Sequence, residues 1–187
     1  MMRMSLLMVL LLAGPAAAQP KKKDEKLAVK TDARLVVGDA AGMFSAEGIK
    51  KAKAIVAEVH DHFPFEMTII TTKEMPADRK KDFDKLDNAA DKPKFYTDWA
   101  IAEAKLHKAR GIFVHVCRSP GHIHVLADKA IRDKGLTIRD EELIRDMLLE
   151  KFREAKDKPE AEQTELRDKG LVKATEFVRD AYKKMIK

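Results

Sequence analysis

Ile112-Phe113-Val114-His115-Val116-Cys117-Arg118-Ser119-Pro120-Gly121-His122-Ile123-His124-Val125-Leu126 decides the architecture. Two β-branched, apolar runs flank Arg-Ser-Pro-Gly, so the segment reads as two strands joined by a turn, a hairpin. Pairing Arg118 with Gly121 across a two-residue turn sets Cys117 opposite His122 and His115 opposite His124. Side chains alternate along a strand, so those four residues share one face of the sheet.

Outward from the hairpin the pattern alternates. Upstream, Phe95, Trp99, Ala102 and Leu106 recur at helical spacing and end before Gly111. Phe65 to Thr72 (FEMTIITT) is an almost unbroken apolar, β-branched run, the mark of a central strand covered on both faces. Between them, 73–94 is charged and irregular, with Pro76 and Pro93, and reads as a loop holding one short helix near Phe83–Ala90. Further back, Ser45 caps a helix whose apolar face is Ile49, Ala52, Ile55, Val56 and Val59. Before it, Arg34-Leu35-Val36-Val37 forms a first strand, ending at the turn Gly38-Asp39-Ala40-Ala41-Gly42. Downstream, Thr137 caps a helix with Ile138, Leu143, Ile144, Met147, Leu148 and Phe152 inward. A charged linker over 154–163 precedes a last helix from Leu166 to Met185, with Leu171, Ala174, Phe177, Val178 and Tyr182 inward. The order β-α-β-(α)-α-β-β-α-α predicts a three-layer α/β/α sandwich on a mixed sheet of about four strands.

The first residues differ from the rest. Arg3, the apolar run Ser5 to Leu12 and Ala16-Ala17-Ala18 form a secretory signal peptide, residues 1–18, cleaved after Ala18. The expected location is therefore periplasmic or secreted. No second long apolar run follows, so no transmembrane segment is expected in the mature form. Residues 19–33 read as a disordered basic lead-in, and 34–187 as the folded domain.

Among 187 residues, 37 are basic and 31 acidic, but the signs are interspersed and give a solvated surface. Only Lys21–Lys23 is a concentrated basic run, so nucleic-acid binding is not expected. The single Cys117 rules out an intramolecular disulfide. P-loop, G-x-S-x-G and H-E-x-x-H motifs are all missing.

Two groups of residues remain as candidate sites. Asp39, Thr71 and Thr72 lie at strand carboxyl ends, where α/β sheets bind ligands. A carboxylate there can hold a hard cation such as Ca²⁺, or simply cap its own turn. The hairpin set His115, Cys117, His122 and His124 carries imidazole and thiol donors suited to Zn²⁺ or copper, or packs against a helix. No cofactor beyond such a divalent cation is implied. His60-Asp61-His62 sits at a helix C-terminus, where an imidazole meets the helix dipole.

The same order of motifs resembles the TPM domain family, which includes thylakoid acid-phosphatase-like and photosystem II repair proteins and many exported bacterial proteins. Val37-Gly38-Asp39-Ala40-Ala41-Gly42-Met43-Phe44-Ser45 is similar to the family's opening D-x-A-(G)-x-(L/F)-S. Met67-Thr68-Ile69-Ile70-Thr71-Thr72 resembles its I-x-V-x-T strand. Trp99, Gly111–Val116, His122–Val125 and Lys169-Gly170-Leu171 follow in the family's order. Arg110 stands where relatives carry Asp or Asn, and Ala100 and Ala102 replace glycines. A cation at Arg110 repels a bound metal. The resemblance therefore implies the fold, and a non-catalytic binding or maintenance module of the cell envelope with a protein partner. The alternatives are a metal-dependent phosphatase-like hydrolase and a periplasmic metal-binding protein.

Overall fold

The computed structural model describes residues 34–59 and 66–185. The signal peptide, the lead-in and the His60-Asp61-His62 triplet lie outside the described residues. Four strands form one sheet in the order β1 (Arg34–Asp39), β2 (Glu66–Glu74), β3 (Ile112–Ser119), β4 (His122–Ala127). The first three are parallel and β4 runs antiparallel to β3, so the sheet is mixed. Six helices accompany it among the described residues: α1 (Ala46–Ala57), α2 (Ala77–Asp84), α3 (Lys92–Leu106), α4 (Lys129–Arg132), α5 (Ile138–Ala155) and α6 (Glu160–Met185). None of them is long and apolar enough to cross a membrane.

The central strands explain themselves. Met67 to Thr71 and Ile112 to Cys117 are buried at every position, which only strands covered on both faces allow. β4 alternates instead: Ile123, Val125 and Ala127 are buried while His122, His124 and Leu126 are half-buried. The larger core cluster joins strand residues such as Met67, Ile69 and Val114 to Val56 of α1, Ile144 and Leu148 of α5, and Leu171 and Val178 of α6. A second, smaller cluster is Met75, Trp99 and Cys117, with Phe83, Phe95 and Tyr96 against it.

Local chemistry fixes the element ends. Ser45 accepts a hydrogen bond from Gly48 N and caps α1; Thr137 and Asp140 form a capping box on α5. Asp168 of α6 reaches back to α1, accepting from the backbone N and the hydroxyl of Ser45. Gly48 is required there: a side chain at this position would collide with the Asp168 carboxylate.

Several boundaries differ from the sequence reading. The irregular stretch holds α2 at Ala77–Asp84 and a 3-10 turn at Ala89–Asp91, rather than a helix near Phe83–Ala90. Pro93 is accepted because it lies in the first turn of α3, where its missing N–H is no loss. The expected linker is mostly helix, since α6 begins at Glu160, directly after Pro159. Asp39 closes β1 rather than lying in the following turn. Ile138 and Leu106, expected inward, are exposed; each sits at a helix end, beyond the reach of the sheet.

Candidate functional site

Asp39 ends β1 directly opposite Thr71 of β2. Its Oδ1 accepts from Met43 N at 2.9 Å and from the Thr71 hydroxyl at 2.6 Å; its Oδ2 accepts from Phe44 N at 2.8 Å. Thr71 Oγ1 in turn accepts from Ala41 N at 3.0 Å. The carboxylate therefore organises the loop that leads into α1, and most of its lone-pair directions are taken. Thr72 is one residue on and so points to the opposite face, where its hydroxyl lies against Val116 O and Cys117. The structure joins Asp39 to Thr71 and separates both from Thr72.

The hairpin pairs Cys117 with His122 and His115 with His124 across a turn whose Ser119–Pro120 peptide is cis. All four side chains share a face, and different neighbours occupy each. Trp99 meets His115 edge-on at 4.5 Å between ring centroids, and Tyr96 stacks on His122 at 3.6 Å. The Cys117 thiol donates to Ser119 O at 3.2 Å, and burial pushes its pKa up. His115 is fully buried with neither ring nitrogen hydrogen-bonded. Burial, and then the neighbouring His122, His124 and His107, lower its pKa to about 4; burial and His124 do the same for His122. Both rings are neutral at pH 7. Among the described residues, no group of three or more His, Cys, Asp or Glu side chains is arranged to hold a metal ion. The aromatic rings of α3 pack against two of the donors, Tyr96 on His122 and Trp99 on His115.

A third feature was not visible in the sequence. At the β3–β4 turn, the carboxyl end of β3, the last turns of α5 and the first turns of α6 enclose a cleft of about 590 Å³. Arg118, Arg153, Lys156 and Arg167 line it, together with Gln163 and the apolar Phe152, and no carboxylate does. Among the described residues, Arg118, Arg153 and Lys156 have no carboxylate within ion-pair distance, whereas Lys and Arg elsewhere on α5 and α6 are extensively paired. Arg167 donates to Gln163, and burial, with Arg118 nearby, depresses its pKa. Unpaired guanidinium groups gathered at strand carboxyl ends form a receptor for anions. Charge run-length could not reveal it, because the four cations come from three separate segments: Arg118 is alone in an uncharged stretch and the others stand among residues of both signs.

Comparison with family models, curated proteins and solved structures finds no match.

Proposed function

We propose that this protein is an exported, non-catalytic binding module of the cell envelope, and that its cleft takes the acidic group of a protein partner. The observation that carries this reading is the set of four cations around a cleft with no carboxylate in its lining. Strand-end placement and guanidinium chemistry favour recognition of a carboxylate or phosphate. Asp39 is engaged by its own loop, and the Cys117 thiol is hydrogen-bonded and shifted toward its protonated form. This favours binding over phosphate-ester hydrolysis. The two core clusters, one reaching α1, α5 and α6 and the other α3, support an α/β/α layering of the TPM kind. The signal-like opening of the sequence supports a periplasmic or secreted location.

The test is fluorescence anisotropy with a labelled oligoglutamate, using an oligolysine as control. The mature chain should bind the first and not the second, and the pair Arg118→Glu with Arg153→Glu should weaken binding roughly tenfold or more. Phosphomonoester hydrolysis should stay at background. Equal binding by the charge-reversed protein, or hydrolysis lost on Asp39→Ala, would overturn the reading.

A further inference from the structure

β4 is an edge strand: it pairs with β3 on one side and, among the described residues, with no strand on the other. The direction of its backbone groups follows from one bond. Asp128 N donates to Gly111 O, which makes Gly111 and Asp128 a hydrogen-bonded pair of the antiparallel ladder. Such pairs alternate, so Leu126, His124 and His122 turn their N–H and C=O groups toward β3. Ile123, Val125 and Ala127 turn theirs outward. The Glu141 carboxylate takes the Ala127 N–H. Ile123 and Val125 are left presenting a donor and an acceptor each, with no hydrogen bond from that side among the described residues.

That edge is the floor of a groove. α3 supplies one wall through Pro93, Tyr96 and Thr97, and α5 the other through Arg145, Leu149 and Arg153. Its two halves, of about 530 and 280 Å³, share Thr97, His124 and Arg145, so they run continuously along β4. The half nearer the hairpin turn carries Lys92, Arg153 and Arg145, the last paired with Asp146, and no carboxylate in its lining, while the other half carries Glu141 and Glu142. Arg153 also lines the basic cleft, which joins the two features at one residue.

We infer that the groove receives an extended, acidic segment of a partner protein, which adds to β4 as a fifth strand and sets its carboxylates against Lys92 and Arg153. Main-chain pairing at Ile123 and Val125 supplies affinity, and the cations select for charge. Six residues of β4 at about 3.4 Å per residue give a span of roughly 20 Å, the length of an ordinary strand. Charge decides among occupants. The chain's own lead-in is rich in lysine (Lys21, Lys22, Lys23, Lys26) and is repelled by Lys92 and Arg153. An acidic segment of another protein is complementary to the same cations, and a second copy is told apart by the dimer test below. This inference rests on the anion-binding reading above and adds to it the form of the ligand.

The experiment uses the mature protein with a short peptide of alternating Glu and Val, and a copy N-methylated on every second backbone nitrogen. Both N-methylated registers are made, so that one blocks the nitrogens facing β4. The unmodified peptide should bind, and should slow hydrogen exchange at the amides of Ile123 and Val125; one N-methylated register should lose roughly tenfold or more. Val125→Pro removes one outward donor without touching the β3 ladder, as proline on an edge permits, and should weaken the peptide likewise. If that variant fails to fold, the N-methylated peptides decide alone. Equal binding by all three peptides, or unchanged exchange at Ile123 and Val125, overturns strand addition while leaving the cleft's affinity for oligoglutamate standing. Failure of both the alternating peptide and oligoglutamate to bind overturns the anion-binding reading itself. A dimer that Val125→Pro dissociates would assign the edge to a second copy and overturn the inference.

Discussion

Acidification should destabilise this fold through His115, and the size of the effect can be worked from its surroundings. The ring is fully buried, neither nitrogen has a hydrogen-bond partner, and Trp99 packs edge-on against it. Burial, reinforced by His122, His124 and His107, lowers its pKa from 6.5 to about 4. In the unfolded chain the imidazole takes up a proton as pH falls through 6.5; in the folded chain it stays neutral until about pH 4. Between those values the unfolded state holds more protons, so stability falls as pH falls. Above pH 6.5 both states are neutral and the group adds no pH dependence. Below about 4 both are charged and the loss is complete. Each tenfold change in proton affinity is worth about 1.4 kcal/mol, so His115 accounts for a loss of roughly 3 kcal/mol across the window. Urea denaturation of the wild type and of His115→Leu, from about pH 7.5 to about pH 4, measures it. The substitution has its own effect on stability, but that offset is constant with pH. The difference between the two profiles should therefore change by about 2–3 kcal/mol across the same window. His122, with its own lowered pKa, keeps a residual slope in both proteins. Parallel profiles would show that His115 is not the source of the acid sensitivity.

Two further outcomes follow from the loop before α1 and from the capping of that helix. Asp39→Ala strips the acceptor from Met43 N, Phe44 N and the Thr71 hydroxyl at once, and should lower stability by about 2–4 kcal/mol in denaturant titrations. A loss under about 0.5 kcal/mol would mean that the loop holds its shape without the carboxylate. Gly48→Ala drives a methyl group into the Asp168 carboxylate, and should cost about 1–3 kcal/mol. In the Asp168→Ala background the same change should cost much less, a coupling that a double-mutant cycle reads directly; additive losses would place the clash elsewhere.

The strands were legible because their chemistry is repetitive. The nearly continuous apolar, β-branched run from Met67 to Thr71 reads as a doubly covered strand, and the structure buries all five residues. The pairing across Arg118 and Gly121 sets the hairpin register, and the structure has Cys117 opposite His122 and His115 opposite His124. The helices between Pro76 and Pro93 were poorly legible, since α2 buries no residue and so leaves no apolar stripe to read. The candidate sites divide in the same way. Sequence placed Asp39 and Thr71 at strand ends, and adjacent-strand pairing makes them neighbours. It also grouped four donors on one face of the hairpin, but could not show that Tyr96 and Trp99, from a helix upstream, pack on His122 and His115. The basic cleft left no trace at all. Arg118 is a single charge in an apolar hairpin, Arg153, Lys156 and Arg167 stand in locally mixed stretches, and only the meeting of the hairpin turn with the ends of α5 and α6 gathers them.

The bond between Ser45 and Asp168 spans 123 positions of chain. A ribosome that has released everything up to α5 has produced α1 with the start of its barrel bare, and a sheet whose seat for Leu171, Ala174 and Val178 is still open to water. Neither is finished until α6 arrives. The order of synthesis therefore imposes a wait: α1 is completed by a residue that emerges 123 positions after its own cap, and any chain cut short of α6 carries an unclosed core as a handle for proteases.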